Sequence, residues 1–172
     1  AFCNVSPEAV VQSLDMPTIY EVPLRMQEQG LDATILRKLD MPVGETPGLG
    51  PWRSFLDRRH KATEVINIGL VGKYDLQDAY KSILEALSQA GTYNDRKVKC
   101  HFINSEKIDK NNVAEMLAGM DGYVICPGFG QRGIEGKIIA AQYCRENNRP
   151  TFGICLGMQM MVIEFGRNVL GY

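Results

Sequence analysis

The chain has 172 residues, of which 45% are hydrophobic and 23% are charged, and this is the composition of an ordinary globular protein. It excludes a disordered, collagen-like or membrane-spanning chain. Lys and Arg together number 19 and Asp and Glu number 20, so the formal net charge is −1. A chain this close to neutral gives no reason to expect electrostatic binding of nucleic acid or of an anionic membrane surface.

The five cysteines are too scattered for a disulfide framework, and their spacing is not that of a zinc site. Reduced thiols are typical of a cytosol-like compartment, and the first 25 residues lack a basic start followed by an apolar run. We therefore expect a cytoplasmic protein with no metal bound by this portion. Both ends of the sequence look cut, because Ala1 is not an initiator Met and Tyr172 follows an apolar helical pattern directly.

Residues 1–43 predict short helices separated by turns, beginning with Ser6 as a cap and Pro7 in the first turn. Residues 44–63 are interpreted as a linker, because Gly and Pro are dense in the first part and a run of charged residues follows. Trp52 in this segment is interpreted as a partly buried aromatic, with a docking anchor as the alternative.

From Glu64 onward, strand patterns alternate with helix patterns. The predicted strands are 65–71, 97–102, 123–126 and 151–154, and the predicted helices are 76–91, 113–117, 134–146 and a last one from about 156 through 165. This alternation predicts an α/β fold with a doubly wound, mostly parallel sheet, preceded by the short helical segment and the linker. Ligands bind such sheets beyond the carboxyl ends of the strands, so the loops expected to matter are 72–75, 126–133 and 153–158.

The strongest chemical signal is Gly153-Ile154-Cys155-Leu156-Gly157, a G-x-C-x-G motif at a strand-to-helix junction. Such a sharp turn holds the central side chain exposed above the sheet edge, while the glycines let neighbouring backbone approach closely. The N-terminus of the following helix favours the thiolate form of Cys155, and the N–H of Leu156 is placed to donate to an oxyanion. The alternative is a packed cysteine in a tight turn, which is the favoured interpretation of Cys3, Cys100 and Cys144.

The second signal is the glycine-rich loop 126–137, which lies between a predicted strand and a predicted helix. Its backbone N–H groups are suited to an oxyanion hole or to an anion cradle, although such loops also simply turn the chain. The loop carries Arg132 and Lys137, for which phosphate binding and solvation are equally open.

Four segments together resemble the CTP synthase family among the class I glutamine amidotransferases: Gly153–Gln159, Pro127–Lys137, Gly72–Tyr74 with Asp78–Ser82, and Phe2–Val5. The resemblance runs nearly end to end. It implies that 1–43 is the end of an ATP-dependent amidoligase domain, 44–63 the interdomain linker, and 64–172 a flavodoxin-like class I glutaminase domain, incomplete at its C-terminus.

The resemblance also implies roles for individual residues. Cys155 would attack the carboxamide of glutamine, form a γ-glutamyl thioester and release ammonia. The residues implied in binding glutamine and its oxyanion are Gly128, Leu156, Gly157, Met158 and Gln159. The residues implied in binding GTP, the activator, are Phe129 and Arg132, with Lys73 and Glu135 as weaker candidates. The parent enzyme would make CTP from UTP, ATP and glutamine, use Mg²⁺ and form a homotetramer, with UTP and ATP on the amidoligase domain.

Two departures from the family pattern bear on the mechanism. In an ungapped alignment Cys126 and Pro127 stand where the loop usually has Pro and its first Gly, so a donor is lost at Pro127 and Gly128 must serve that side of the oxyanion hole. The family's His-x-Glu pair lies downstream of the cysteine, beyond the 172 residues, and His60 and His101 are poor substitutes. The chain as given is therefore not expected to turn over glutamine, whereas the parent enzyme is.

Two alternatives stay open. A non-catalytic glutaminase-like module, used for assembly or effector binding, is favoured by Pro127 and by the absent base, and opposed by the intact cysteine motif and Gln159. An unrelated thiol hydrolase or redox sensor would depend on Cys155 alone.

Overall fold

The computed structural model describes residues 4–45, 48–74 and 77–172. It divides into two compact units, residues 1–60 and 61–172. The interpretations that involve Phe2, Cys3, Asp75 and Leu76, and the Thr-Pro step at 46–47, lie outside the described residues.

The first unit is helical, as the sequence predicts for residues 1–43. It contains single 3-10 turns at Pro7–Ala9 and Ile19–Glu21 and the helices α1 (Val22–Glu28), α2 (Leu31–Lys38) and α3 (Gly50–Lys61). Tyr20, Phe55 and Leu56 form its buried cluster. Trp52 is partly buried, as predicted, and its indole N–H donates to the carbonyl oxygen of Tyr20 at 2.7 Å.

Helix α3 occupies more than half of the segment 44–63 that the sequence indicates as a linker. The Gly and Pro residues that suggested a connector end at Pro51, which is tolerated in the first turn of a helix. Residues 52–61 contain neither Gly nor Pro, so nothing in them interrupts helical hydrogen bonding. The linker is thus helical in its second part, and the domain limits themselves stay a prediction.

The second unit is a four-stranded parallel sheet with the strand order β2-β1-β3-β4. The strands are β1 (Val65–Gly72), β2 (Lys97–Asn104), β3 (Gly122–Ile125) and β4 (Thr151–Gly153). The helices are α4 (Lys81–Tyr93), which follows a 3-10 turn at Gln77–Tyr80, then α5 (Val113–Met116) after a turn at Ser105–Lys107, α6 (Ile134–Glu146) and α7 (Leu156–Asn168). The predicted α/β fold with a parallel sheet is confirmed.

Side chains from successive positions of one strand enter two separate cores. Val71 and Ile125 pack with Ala140 of α6 on one face, whereas Leu70 and Val124 pack with the side of α4 on the other. Strands buried on both faces read as continuous apolar runs, which is the pattern of 65–71. The sheet is therefore doubly wound.

The strand order reverses between β1 and β3, because β1 continues to β2 on one side and β3 continues to β4 on the other. The loops that leave these two strands diverge and open a crevice at the carboxyl edge of the sheet. Three connections begin at this edge: the loop after β1, the glycine-rich loop after β3 and the turn after β4. The candidate site lies among them.

Candidate active site

Cys155 lies between β4 and α7, and it is the N-cap residue of α7. Its backbone has φ 51° and ψ −112°, a conformation that L-residues rarely adopt. The residue is exposed. The structure thus presents this thiol to solvent on a strained turn at a helix N-terminus, the arrangement that the G-x-C-x-G motif predicts.

The two glycines of the motif are required by close packing. A Cβ on Gly153 would lie 2.7 Å from the backbone nitrogen of Met158, and a Cβ on Gly157 would lie 2.6 Å from the carbonyl carbon of Ile125. Real Cβ atoms essentially never come within 3.0 Å of such atoms. The first turn of α7 can therefore lie against the ends of β3 and β4 only because both positions lack a side chain.

Gly128 lies beside the N-terminus of α7. A Cβ on Gly128 would be 3.8 Å from Cδ2 of Leu156 and 3.4 Å from Cε of Lys73. The fold thus brings together the two residues expected to donate N–H groups to an oxyanion, one from the loop after β3 and one from the first turn of α7. Pro127, between Cys126 and Gly128, has no N–H to contribute.

Two buried lysines lie beneath the glycine-rich loop. Lys73 is 6% exposed, and its ammonium donates to the carbonyl oxygen of Phe129 and lies 5.4 Å from the ring centre of Tyr74. Lys137 is 0% exposed and donates to the carbonyl oxygens of Cys126 at 2.7 Å and Pro127 at 3.4 Å. Both expectations left open for Lys137 are therefore wrong: it is neither solvated nor free to bind phosphate, because it is enclosed and bound to the backbone.

Burial also sets the ionisation of the groups under the loop. Removal from water lowers the pKa of Lys137, and the nearby ammonium of Lys73 lowers it further, while the thiols of Cys126 and Cys155 act in the opposite direction. Burial raises the pKa of Cys126 to about 12. The Cys126 thiol is therefore neutral at any physiological pH and is not a competing nucleophile.

The four side chains expected at the GTP site differ in their exposure and in their hydrogen-bond or ion-pair partners. Phe129 is 84% exposed at the tip of the loop, so its ring is open for stacking. Arg132 pairs with Glu106 at 3.1 Å, and Glu135 pairs with Arg167 at 3.1 Å. The ammonium of Lys73 is hydrogen-bonded to the carbonyl oxygen of Phe129. Phe129, Arg132 and Glu135 are thus exposed to solvent, whereas Lys73 is enclosed.

Met158 and Gln159 are exposed on the first turn of α7, and the N–H of Gln159 donates to the carbonyl oxygen of Cys155 at 3.1 Å. Gly157 is buried beneath them. The structure therefore places Gln159 on the same helical turn as the exposed thiol.

Cys100, Cys144 and the two histidines have their own partners away from the glycine-rich loop. Cys144 is buried in the core and Cys100 is half-buried in the opposite one, so both are the small packing residues that the sequence predicts. The imidazole of His60 pairs with Glu21 at 3.1 Å, and that of His101 pairs with the side-chain oxygen of Asn67 at 2.9 Å.

Sequence reasoning missed the contact that positions the start of α6. Gly133 and Gly136 lie against Ser105, and a Cβ on Gly136 would be 2.8 Å from the carbonyl carbon of Ser105. The signal was present, since glycines three positions apart share one side of a helix. Both glycines were assigned to the glycine-rich loop 126–137, although Gly136 also falls within the predicted helix 134–146, and no packing partner was predicted for either.

Within the described ranges no group of three or more His, Cys, Asp and Glu side chains is placed to hold a metal ion. Likewise, none of the helices described is long and apolar enough to cross a membrane.

Two family models match the chain: glutamine amidotransferase class-I over residues 75–171 and CTP synthase N-terminus over residues 1–41. The chain is 72% identical to a CTP synthase of Bacteroides thetaiotaomicron and 59% identical to one of Porphyromonas gingivalis, in each case over 99% of its own length. It spans about a third of these curated relatives, covering 32% of each.

Among solved structures, the acivicin-bound glutaminase domain of the Trypanosoma brucei CTP synthase matches with a TM-score of 0.58 and 38% identity, over 62% of this chain and 42% of that one. The match supports the α/β fold with its parallel sheet as that of a glutaminase domain. The chain belongs to the class I glutamine amidotransferase family, and its resemblance to CTP synthase is confirmed over 99% of its length.

Proposed function

We propose that this chain supplies the cysteine nucleophile with which a CTP synthase hydrolyses glutamine. The observation that carries the proposal is the exposed Cys155 thiol on a strained turn at the N-terminus of α7, with Gly128 beside Leu156. A thiol so placed can attack a carbonyl carbon while two backbone N–H groups receive the developing negative charge.

In this mechanism the sulfur of Cys155 bonds to the side-chain carbonyl carbon of glutamine. The resulting oxyanion accepts hydrogen bonds from Leu156 and Gly128. The carbon–nitrogen bond then breaks, the thiol's proton ends on the departing ammonia, and a γ-glutamyl thioester remains. Water cleaves the thioester to glutamate and restores the thiol. Met158 and Gln159, exposed on the same turn, are proposed to contact the bound glutamine.

The activity of the whole protein is proposed from its relatives. The released ammonia would aminate UTP in an ATP-dependent step and give CTP, in a cytoplasmic homotetramer. By the same resemblance, Mg²⁺, ATP and UTP are proposed to bind the amidoligase domain of the full-length protein.

GTP is proposed to act as the activator at the glycine-rich loop. An exposed aromatic ring in the loop suits stacking on a purine base, and Arg132, three positions later in the same loop, suits a phosphate oxygen, for which it would exchange its pairing with Glu106. Lys73 and Glu135 would act indirectly, Lys73 by holding the carbonyl of Phe129 and Glu135 through its ion pair with Arg167 on α7.

The test is the intact mass of the full-length protein before and after incubation with an electrophilic glutamine analogue, together with release of glutamate from glutamine. We expect one adduct, which is absent from Cys155→Ser and present in the matched variant Cys100→Ser, whose thiol is half-buried in the core. GTP binding with neither an adduct nor glutamate would instead establish a non-catalytic module and overturn the proposal.

A further inference from the structure

Lys137 is a fully buried ammonium that the proposed mechanism does not use. It is 0% exposed, and its described acceptors are the carbonyl oxygens of Cys126 and Pro127. Burial of an ammonium is unfavourable unless the group is hydrogen-bonded, and here both bonds go to consecutive carbonyls of one loop. The buried charge is thus directed at the backbone that precedes Gly128.

The hydrogen bond from Lys137 to the carbonyl oxygen of Pro127 also fixes the direction of the next N–H, that of Gly128. The carbonyl of Pro127 and the N–H of Gly128 belong to one planar trans peptide unit, in which they point in opposite directions. When Lys137 binds the oxygen of Pro127, the N–H of Gly128 must therefore point away from Lys137. A flip of this peptide would turn the N–H toward the ammonium, where it would find a donor instead of an acceptor.

The N–H of Gly128 is also a free donor. Across residues 4–45, 48–74 and 77–172, the structure contains no acceptor for it. Its α-carbon lies near both the ammonium of Lys137 and the side chain of Leu156, since a Cβ on Gly128 would be 3.7 Å from Nζ and 3.8 Å from Cδ2 respectively.

We propose that Lys137 is a positioning residue, whose buried ammonium holds the Pro127–Gly128 peptide with its carbonyl inward and its N–H directed to the oxyanion position beside Cys155. The inference depends on the proposed function, because the N–H that Lys137 of α6 would orient, that of Gly128, is one of the two proposed oxyanion donors. Loss of the ammonium should allow the Pro127–Gly128 peptide to rotate. The N–H of Gly128 would then still be present but would no longer be held in the direction of the oxyanion.

The experiment compares Lys137→Met and Lys137→Gln with the wild type in the full-length protein. Met keeps an unbranched side chain as far as Cε and has no donor, whereas Gln ends in an amide N–H donor one atom short of the position of Nζ. We expect kcat for glutamine hydrolysis to fall about 10- to 100-fold in Lys137→Met and less in Lys137→Gln, with KM within about threefold, because an oxyanion donor acts mainly in the transition state. The exposed Lys110→Met is the matched control.

Two further measurements separate orientation from general damage and from loss of charge. Binding of glutamate γ-semialdehyde, which forms a tetrahedral oxyanion with the thiol, should weaken in step with kcat. Alkylation of Cys155 by iodoacetamide forms no oxyanion, so its rate at a pH where the thiol is fully ionised should stay within about threefold of the wild type. Charged or titratable groups facing Lys137 are Lys73, Cys126 and Cys155, and none of them is altered.

The outcomes are distinct. Unchanged kcat and unchanged semialdehyde affinity in a folded variant would overturn the inference and leave the proposed function intact. Loss of the fold in both variants, seen by circular dichroism, would make Lys137 a stability residue and would also overturn it. A wild-type protein that neither hydrolyses glutamine nor reacts at Cys155 would overturn the proposed function and this inference with it.

Discussion

The α-carbon of Gly157 lies directly against the carbonyl group of Ile125, so that a Cβ at position 157 would overlap the oxygen and lie 2.6 Å from the carbonyl carbon. Neither partner can yield easily, because both belong to backbone at the junction of β3 and α7. The contact seats the helix that begins next to Cys155 on the end of the sheet.

Gly157→Ala should therefore destabilise the protein by about 2 kcal/mol, because a packing strain of about 3 kcal/mol exceeds the gain of about 1 kcal/mol in helix propensity. Gly166→Ala is the matched control in the same helix, since a Cβ there meets nothing within 4 Å. It should stabilise by about 0.5–1 kcal/mol. Urea unfolding followed by circular dichroism measures both, and equal effects of the two substitutions would contradict the packing argument.

The backbone of Cys155 predicts an unusual response to glycine. At φ 51° and ψ −112° a side chain is strained and glycine is not, so Cys155→Gly should be more stable than Cys155→Ala by about 1 kcal/mol. The control is Ala90→Gly, at an exposed position within α4, where glycine should be less stable than alanine by about 1 kcal/mol. A Cys155→Gly protein less stable than Cys155→Ala, by equilibrium unfolding, would show that the turn is relaxed.

Cys126 makes stability sensitive to alkaline pH. Its thiol has a pKa of about 12 when folded and an ordinary value near 9 when unfolded, so the unfolded state loses its proton first as the pH rises. The stabilisation is fully present below pH 9 and disappears as the pH approaches 12. Between pH 7.5 and 10.5 the wild type should lose about 2 kcal/mol more than Cys126→Ala.

Urea unfolding of both proteins at the two pH values measures this difference. Alanine keeps the backbone carbonyl that Lys137 binds, so the comparison isolates the thiol. Parallel losses in the two proteins would mean that Cys126 does not ionise on unfolding in this range.

Phe129 should govern the response to GTP if its exposed ring stacks on the base. Base stacking on an aromatic residue contributes about 1–3 kcal/mol, so Phe129→Ala should raise the GTP concentration for half-maximal stimulation of glutamine hydrolysis by about tenfold or more. Phe165→Ala removes another exposed phenylalanine, on α7, and should leave this concentration unchanged. A normal GTP response in Phe129→Ala would remove the ring from the effector site.

The sequence was sufficient for those parts of the fold that depend on local pattern. The apolar run 65–71 predicted a strand buried on both faces, and helix α6 occupies the predicted residues 134–146, because glycine before it and polar residues after it bound an apolar repeat. The turn at Cys155 was predictable for the same reason, since the glycines on both sides of it indicate close backbone contact.

The environment of Lys137 could not be predicted in this way. Lysine is ordinarily a surface residue, and nothing near it in sequence distinguishes a solvated ammonium from an enclosed one. Its burial depends on the position of Cys126 and Pro127, eleven and ten residues earlier, after the loop has folded back over α6. Helix α3 was missed for a related reason, since the Gly and Pro residues before Trp52 outweighed the uninterrupted segment that follows.

The place of β1 in the middle of the sheet has a consequence for synthesis on the ribosome. It is the first strand of the sheet to be made, yet Ile68 pairs with Gly122, which is made 54 positions later. At about 5–20 residues per second its apolar segment waits about 3 to 11 s for this neighbour. A nascent chain therefore carries an apolar strand with one open edge during that time, even after β2 has paired with its other edge, and we expect chaperones that hold nascent chains to influence the yield of this protein more than its final stability.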